Sequence, residues 1–169
     1  MAATGTVLFI SEEKLKSYAM AGNVSPSLLL PHLKDAQRIY IESALGTALY
    51  TTLQANILAG SLGSNEVILI DDYIQSVLVH YATLQCLPFL AYKLEGGNIY
   101  SKTSENGIAL SREQLGDLSD SVKNTAEWYR ARLIDYLCYN SELFPEYSQS
   151  TGADICPSTV KYTNNMNLY

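Results

Sequence analysis

The chain has 169 residues, of which 47% are apolar and 17% charged, so it is neither disordered nor fibrous and is long enough for one domain with a sizeable core. Its 17 acidic and 11 basic residues give a formal net charge of −6, which argues against a surface that follows nucleic-acid phosphates. Aromatic usage is uneven, with 13 tyrosines against 3 phenylalanines and 1 tryptophan. Tyrosine combines a large apolar ring with a polar hydroxyl and suits surfaces that become buried against a partner.

The sequence carries no targeting or membrane signal that we recognise. Its first ten residues have no basic stretch and no long apolar segment, so we expect no secretory signal. The most apolar region, residues 67–94, is interrupted by two aspartates, two glutamines, a histidine and a proline, which a bilayer span does not tolerate. Cys86, Cys138 and Cys156 are an odd number without C-x-x-C spacing, so we expect reduced, buried thiols.

Capping residues and apolar spacing predict three helices in the first third of the chain. Ser11, followed by two glutamates, indicates the start of a short first helix. Ser25-Pro26 begins a second helix that ends at Gly46, and Pro31 either kinks this helix or marks its true start. A third helix is predicted for residues 47–58.

Two longer helices follow. The fourth begins near residue 65 and has apolar residues on most of its faces, which places it in the middle of a bundle. Ser111 and Gln114 have the spacing of a capping box and begin a fifth helix, which extends to about Asn140.

Two regions depart from the helical pattern. The Asn106-Gly107 pair between short alternating segments predicts a β-hairpin over residues 97–110, which is too small to be stable alone. Residues 146–169 are rich in Ser, Thr, Asn and Tyr without a helical period, which predicts an extended C-terminal arm. The expected fold is therefore mainly α: a bundle of about five helices in a domain of residues 1–145, with an inserted hairpin and an extended arm.

The titratable residues form no catalytic pattern. There are only two histidines, His32 and His80, and neither has the spacing of a metal ligand. Asp71 and Asp72 are adjacent, so on a helix their side chains point about 100° apart and cannot share a proton. We therefore expect a protein that is not an enzyme, with no catalytic residue, metal or cofactor.

Basic residues are too scattered for sequence-specific recognition of DNA. The closest group is Lys123, Arg130 and Arg132 on the fifth helix, where Arg130 and Arg132 lie on different faces. Glu127 and Asp135 lie near enough along this helix to pair with them.

Several segments between Leu8 and Tyr147 together carry a family resemblance. The most specific is the turn Leu-Gly-Thr-Ala-Leu-Tyr at residues 45–50, in which Gly46 ends one helix and the next begins at once. The others are residues 8–15, 28–37, 71–75, 87–93, 126–137 and 144–147. In this order they resemble the head–tail connector (adaptor, or ring) proteins of tailed bacteriophages, most closely the type found in phages of Bacteroidetes, including the crAss-like phages.

The resemblance implies a structural virion protein. In such proteins small helical subunits form a homo-oligomeric ring of about twelve copies, docked beneath the portal protein at the head–tail interface. The ring extends the DNA channel, through which DNA passes without sequence-specific binding, and it provides the docking platform for the next tail or stopper ring protein. It implies no membrane partner, synthesis in the host cytoplasm and a final location at the portal vertex of the virion.

The tyrosines divide into two groups. One group falls on core-facing helical stripes and consists of Tyr40, Tyr73, Tyr81, Tyr129 and Tyr136. The second group, with the hairpin turn, has no obvious place in the core of a small monomer and is predicted to contact another subunit or the portal: Tyr100, Asn106, Gly107, Tyr147, Tyr162 and Tyr169.

Two other functions fit parts of the sequence. A cellular helical adaptor that binds a protein partner would have the same fold, and portal and capsid genes beside its gene would favour the ring protein instead. A small helical hydrolase would use Asp71 or Asp72 with His80, and loss of turnover after substitution of both aspartates would support it.

Overall fold

The computed structural model describes residues 7–19, 26–95, 98–101, 111–148 and 154–160, and in this part the chain is mainly α-helical, as predicted. Two short antiparallel strands, β1 (Tyr92–Glu95) and β2 (Asn98–Ser101), precede the longest helix. The helices are α1 (Glu12–Ala19), α2 (Pro26–Ala36), α3 (Ser43–Leu45), α4 (Thr47–Ala59), α5 (Ser64–Ile68), α6 (Gln75–Ala91), α7 (Arg112–Tyr139) and α8 (Pro145–Ser148).

Two π-helical segments join α-helices into longer continuous rods. The first, Gln37–Glu42, connects α2 to α3, and the second, Leu69–Ile74, connects α5 to α6. The predicted set of about five helices is therefore present as α1, the α2–α3 rod, α4, the α5–α6 rod and α7. Apolar spacing does not reveal the π segments, because the residues on both sides of them remain helical.

Two of the predicted helix starts, at Ser11 and Ser111, have the expected capping bonds. At α1, the Ser11 hydroxyl accepts a hydrogen bond from the Lys14 N–H at 3.2 Å. At α7, the Ser111 hydroxyl accepts from the Gln114 N–H at 3.2 Å, and Gln114 Oε1 accepts from the Ser111 N–H at 3.0 Å. Both donors would otherwise lack a partner at a helix start, so the capping box fixes where α7 begins.

The α5–α6 rod is the central helix of the bundle. It packs mainly against α7 and also against α2 and α1. The stretch Ser64–Ala91 is long enough, and in an 18-residue window with a mean hydropathy of 1.2 apolar enough, to cross a membrane. In the structure, 39% of that window is buried, and Leu78, Tyr81 and Cys86 of this rod belong to the hydrophobic core.

A buried glutamine fixes the segment that precedes α1. Gln37, in the first π segment, is fully buried. Its Oε1 accepts from the Phe9 N–H at 2.9 Å, and its Nε2 donates to the Val7 carbonyl at 2.7 Å and to the Tyr50 hydroxyl at 3.0 Å. Because both ends of the amide are satisfied, its burial costs little, and Phe9 can pack edge-on against Tyr50 with ring centroids 5.5 Å apart.

Gly46 forms the turn between α3 and α4, and the C-terminal segment packs directly on it. Its backbone has φ 77° and ψ 154°, a region open essentially only to glycine. A Cβ atom at this position would lie 2.7 Å from Pro157 Cδ and Cγ. Next to this contact, the Thr47 N–H donates to the Ile155 carbonyl at 2.9 Å and the Ile155 N–H donates to Thr47 Oγ1 at 3.0 Å. The missing side chain therefore allows residues 154–160 to close over the turn.

The hairpin predicted for residues 97–110 is not supported. Its first strand, residues 98–101, pairs instead with the preceding residues 92–95, and Glu95 lies opposite Asn98. The two residues between these strands are glycines, which is itself a signal for a two-residue hairpin loop. The predicted turn at Asn106-Gly107 lies outside the described residues.

The C-terminal arm is partly attached to its own subunit. The predicted boundary between residues 145 and 146 falls inside α8, whose Tyr147 is only 8% exposed. Further along the chain, the Ser158 N–H donates to the Ser43 carbonyl at 2.9 Å, and Arg130 Nη1 donates to the Val160 carbonyl at 2.7 Å. Residues 154–160 contain no helix or strand, and they lie against the helices of the same chain.

The three cysteines differ in exposure. Cys86 is buried on α6, whereas Cys138 and Cys156 are exposed, so the expectation of buried thiols is wrong for these two. The apolar spacing along α7 does not show whether Cys138 faces the core or the solvent. Burial raises the pKa of the Cys86 thiol to about 11 and lowers its reactivity.

Substitution of Gly46 by alanine should destabilise the fold by about 2–4 kcal/mol, because the new methyl group combines backbone strain with a clash against Pro157. Urea unfolding followed by circular dichroism measures the change. Gly60 is the matched control: it also has a positive φ, 64°, but has no atom within 4 Å of an added Cβ. Gly60→Ala should cost only about 1 kcal/mol, and equal losses in the two variants would contradict the Gly46–Pro157 contact.

Thiol titration should separate the cysteines. In the native protein at about pH 8, Cys138 and Cys156 should react with a disulfide reagent, whereas Cys86 should react only after unfolding. Cys86→Ser should leave the native signal unchanged, and Cys138→Ser should halve it. A native protein in which all three thiols react at the same rate would contradict the position of Cys86.

Candidate functional site

The predicted contact residues do not form one site. Tyr100 lies in β2, opposite Lys93 of β1. Tyr147 lies in the core of its own subunit and so offers little surface to another one, in contrast to the prediction. The other four, Asn106, Gly107, Tyr162 and Tyr169, lie outside the described residues.

Four of the five tyrosines predicted to face the core form two stacked pairs between helices. Tyr40 of the first π segment stacks on Tyr81 of α6, with centroids 3.7 Å apart and planes at 7°. Tyr73 of the second π segment stacks on Tyr136 of α7 at 4.0 Å and 20°. Each π segment therefore presents one tyrosine to a neighbouring helix, and a large share of the tyrosine excess is explained by packing inside the subunit.

A cleft of about 490 Å³ opens where the first π segment faces α6 and α7. Asp120 and Lys123 of α7 lie exposed at its rim. Tyr81, Glu127 and Arg130 lie in its wall and are 1%, 9% and 7% exposed. We call it the Glu127 cleft. Its volume is within the range of small-molecule sites, and it brings buried polar groups together with aromatic surface.

Two buried polar atoms of the Glu127 cleft make no hydrogen bond of ordinary distance and angle within the described part of the chain. They are the Tyr81 hydroxyl and Glu127 Oε2. Burial, followed by a side-chain hydrogen bond with Glu127 and the charge of that carboxylate, raises the pKa of Tyr81, so this phenol stays protonated and can donate toward Glu127. Arg130 is already engaged, because its Nη1 donates to the Val160 carbonyl at 2.7 Å.

Sequence reasoning placed Glu127 as a surface partner for the arginines and missed the cleft. A signal was present, because Glu127 is spaced three and ten residues from Arg130 and Leu137, on the side of α7 that the structure buries. A charged pair at buried helical positions is unusual enough to indicate a site.

An aromatic surface lies on the outer side of α7 and the second π segment. Trp128 is 56% exposed. The Arg132 guanidinium carbon lies 5.2 Å from the ring centroid of Tyr73 and 6.0 Å from that of Trp128. Tyr139, which is 87% exposed, lies two helical turns beyond Arg132 on the same side of α7. We call the surface formed by Tyr73, Trp128, Arg132 and Tyr139 the Trp128 face.

The residues of the alternative hydrolase lie on the second π segment and on α6. Asp71 and Asp72 are exposed on the second π segment, and Asp71 Oδ1 accepts a hydrogen bond from Gln75 at 3.0 Å. His80 stacks on Tyr129 with centroids 5.0 Å apart, and burial lowers the pKa of its imidazole. Within the described residues, no three His, Cys, Asp or Glu side chains are grouped to hold a metal ion.

Two tyrosine-to-phenylalanine substitutions should differ in sign. Tyr81→Phe removes a buried hydroxyl that makes no hydrogen bond of ordinary distance and angle within the described residues, so the free energy of unfolding should stay the same or rise by about 1 kcal/mol. In Tyr50→Phe, the Gln37 and Gln54 amides each lose a hydrogen bond of 3.0 Å, so stability should fall by about 1–3 kcal/mol. Urea unfolding measures both. An equal loss in the two variants would show that the Tyr81 hydroxyl is paired within the subunit.

Comparison with known proteins gives one match, to the model of a protein family. Searches of curated proteins and of solved structures give no match. A family model matches residues 41–157, which include the Gly46 turn, the Trp128 face, the α6 and α7 walls of the Glu127 cleft and most of the C-terminal segment packed on the turn. Because this match covers more than half of the chain, the chain belongs to the family of unknown function DUF6712.

Proposed function

We propose that the chain is a structural, non-enzymatic virion protein that forms an oligomeric ring between the portal and the tail of a bacteriophage. The resemblance of the sequence to head–tail connectors supports this role, and the Trp128 face is the observation in the structure that carries it. The ring extends the DNA channel and serves as the docking platform for the next tail or stopper ring protein.

The Trp128 face has the composition of a protein–protein interface. Tryptophan, tyrosine and arginine are the residues most enriched among interface side chains that dominate binding energy. Isolated apolar side chains on a surface are ordinary, and Leu58 of α4, which is 70% exposed, is one example. A tryptophan and a tyrosine that share one arginine form a grouped surface instead, and such a group suits burial against another subunit.

The charge of the chain is consistent with a channel. A formal net charge of −6 keeps DNA phosphates from adhering to a surface past which they must slide. A closed ring requires that each subunit present two different surfaces, one to each neighbour. The Trp128 face is the candidate for one of them, and β1–β2 lies at the other end of α6, where a second contact can form.

Truncation of Trp128 should weaken assembly by more than about tenfold while the fold is retained. The experiment measures sedimentation of the full-length protein alone and binding to the portal protein of the same phage. Trp128→Ala should weaken both ring formation and portal binding by at least this factor, with an unchanged circular dichroism spectrum, because the side chain is half exposed in the subunit.

Leu58→Ala is the matched control, since it also removes an exposed apolar side chain but lies on α4, away from the Trp128 face. It should assemble like the unsubstituted protein. If the unsubstituted protein neither forms a ring nor binds portal, the proposed function is wrong. If Trp128→Ala assembles as well as Leu58→Ala, the Trp128 face is not the interface.

A further inference from the structure

The first half of α7 buries no side chain in its own subunit. The structure describes this 28-residue helix throughout, and its buried side chains all lie between Ala126 and Leu137. In the first half, residues 112–125, Leu118 is 41% exposed. Tertiary packing is the main source of helix stability in proteins, and a segment that buries no side chain gains little from it. The outer side of α7 therefore has surface to offer to a partner.

This outer side carries one continuous row of exposed residues. Asp117, Ser121, Thr125, Trp128 and Arg132 follow one another at intervals of four, four, three and four residues, so they lie along the same side of the helix. Each of these side chains is exposed. We call them the α7 row. It continues the Trp128 face toward the start of the helix.

The α7 row is complementary to the same row of a second copy that runs in the opposite direction. In an antiparallel pair of α7 helices centred between residues 124 and 125, Asp117 of each copy faces Arg132 of the other. The same arrangement places the large Trp128 ring opposite Ser121, whose small side chain leaves space for it. A parallel pair in register would instead bring like charges together at both positions. Charge complementarity therefore favours the antiparallel pair.

We propose that two free copies of this chain dimerise through the α7 row as an antiparallel pair. Asp117 of each copy forms an ion pair with Arg132 of the other, and Trp128 packs over Ser121. The Arg132 guanidinium carbon already lies 5.2 Å from the Tyr73 ring centroid and 6.0 Å from that of Trp128, so this charge is held at the surface before the second copy arrives.

Such a dimer would compete with assembly. Each copy contributes the same surface, so the interface is isologous, closes on itself and cannot grow into a ring. The dimer also covers Trp128, so ring formation or portal binding must displace it. The pairing follows from α7 alone, and only this competition rests on the proposed function.

Sedimentation of the full-length protein without portal, at micromolar concentrations, tests the pairing. The unsubstituted protein should form a dimer. Asp117→Arg and Arg132→Asp should each weaken dimerisation at least about tenfold, because each variant places two like-charged pairs in its own dimer. When the two variants are mixed, every facing pair again joins opposite charges, so a heterodimer should form about as tightly as the unsubstituted dimer.

Asp120→Arg is the matched control, because it makes the same change of charge on α7 but at the rim of the Glu127 cleft, outside the α7 row. It should dimerise like the unsubstituted protein, and both single variants of the row should keep their circular dichroism spectrum. An unsubstituted protein that forms no dimer would overturn the proposal. So would single variants that dimerise normally, or a mixture that associates as weakly as either variant alone.

Binding to the portal protein separates this inference from the proposed function. Asp117→Arg loses the dimer but retains Trp128, so it should bind the portal more tightly than the unsubstituted protein, and weaker binding would overturn the competition. A dimer that forms in a protein without ring formation or portal binding would refute the proposed function and support the α7 pairing. Portal binding by a protein that never dimerises would do the reverse.

Discussion

The contact between Gly46 and Pro157 connects features that are far apart in the sequence. Only a glycine can adopt the backbone conformation of this turn without strain, and only the absence of a side chain lets Pro157 reach it. Two hydrogen bonds between Thr47 and Ile155 then hold the C-terminal segment in place. As a result, the Val160 carbonyl reaches Arg130, which is a wall residue of the Glu127 cleft. The absence of a side chain at Gly46 therefore helps to position the carbonyl that binds Arg130 on α7.

The two π segments have a related effect on the two surfaces. The first places Tyr40 on Tyr81 at the Glu127 cleft, and the second places Tyr73 on Tyr136 and under Arg132 at the Trp128 face. A π turn rotates the following side chains relative to an α-helix, so each of these tyrosines faces a neighbouring helix. The Glu127 cleft and the Trp128 face thus each contain a π-segment tyrosine that stacks on a tyrosine of a neighbouring helix, and they lie on different sides of α7.

Much of the fold could be predicted from the sequence because its helix boundaries are local signals. Two such signals lie within a few residues of one another in the sequence and match the structure: the capping box of Ser111 and Gln114, and the turn at Gly46.

The hairpin was misplaced because Asn106-Gly107 and the glycine pair at 96–97 are both turn signals, and local chemistry does not choose between them. The packing of 154–160 on the bundle depends on contacts more than a hundred residues apart, such as Thr47 with Ile155, which no local pattern encodes. The cleft was missed for a similar reason, because the burial of Glu127 depends on how α6 and the first π segment pack against α7.

We propose that this chain forms a ring at the portal vertex of a virion. A density map of the intact particle at that vertex tests it most directly, because the helical bundle with its long α7 and the C-terminal segment over the Gly46 turn can be recognised in density. The account predicts a closed ring of this chain between portal and tail, with the Trp128 face buried against a neighbouring protein. A vertex in which every ring at this level is built from other chains, or in which Trp128 faces only solvent, would contradict it.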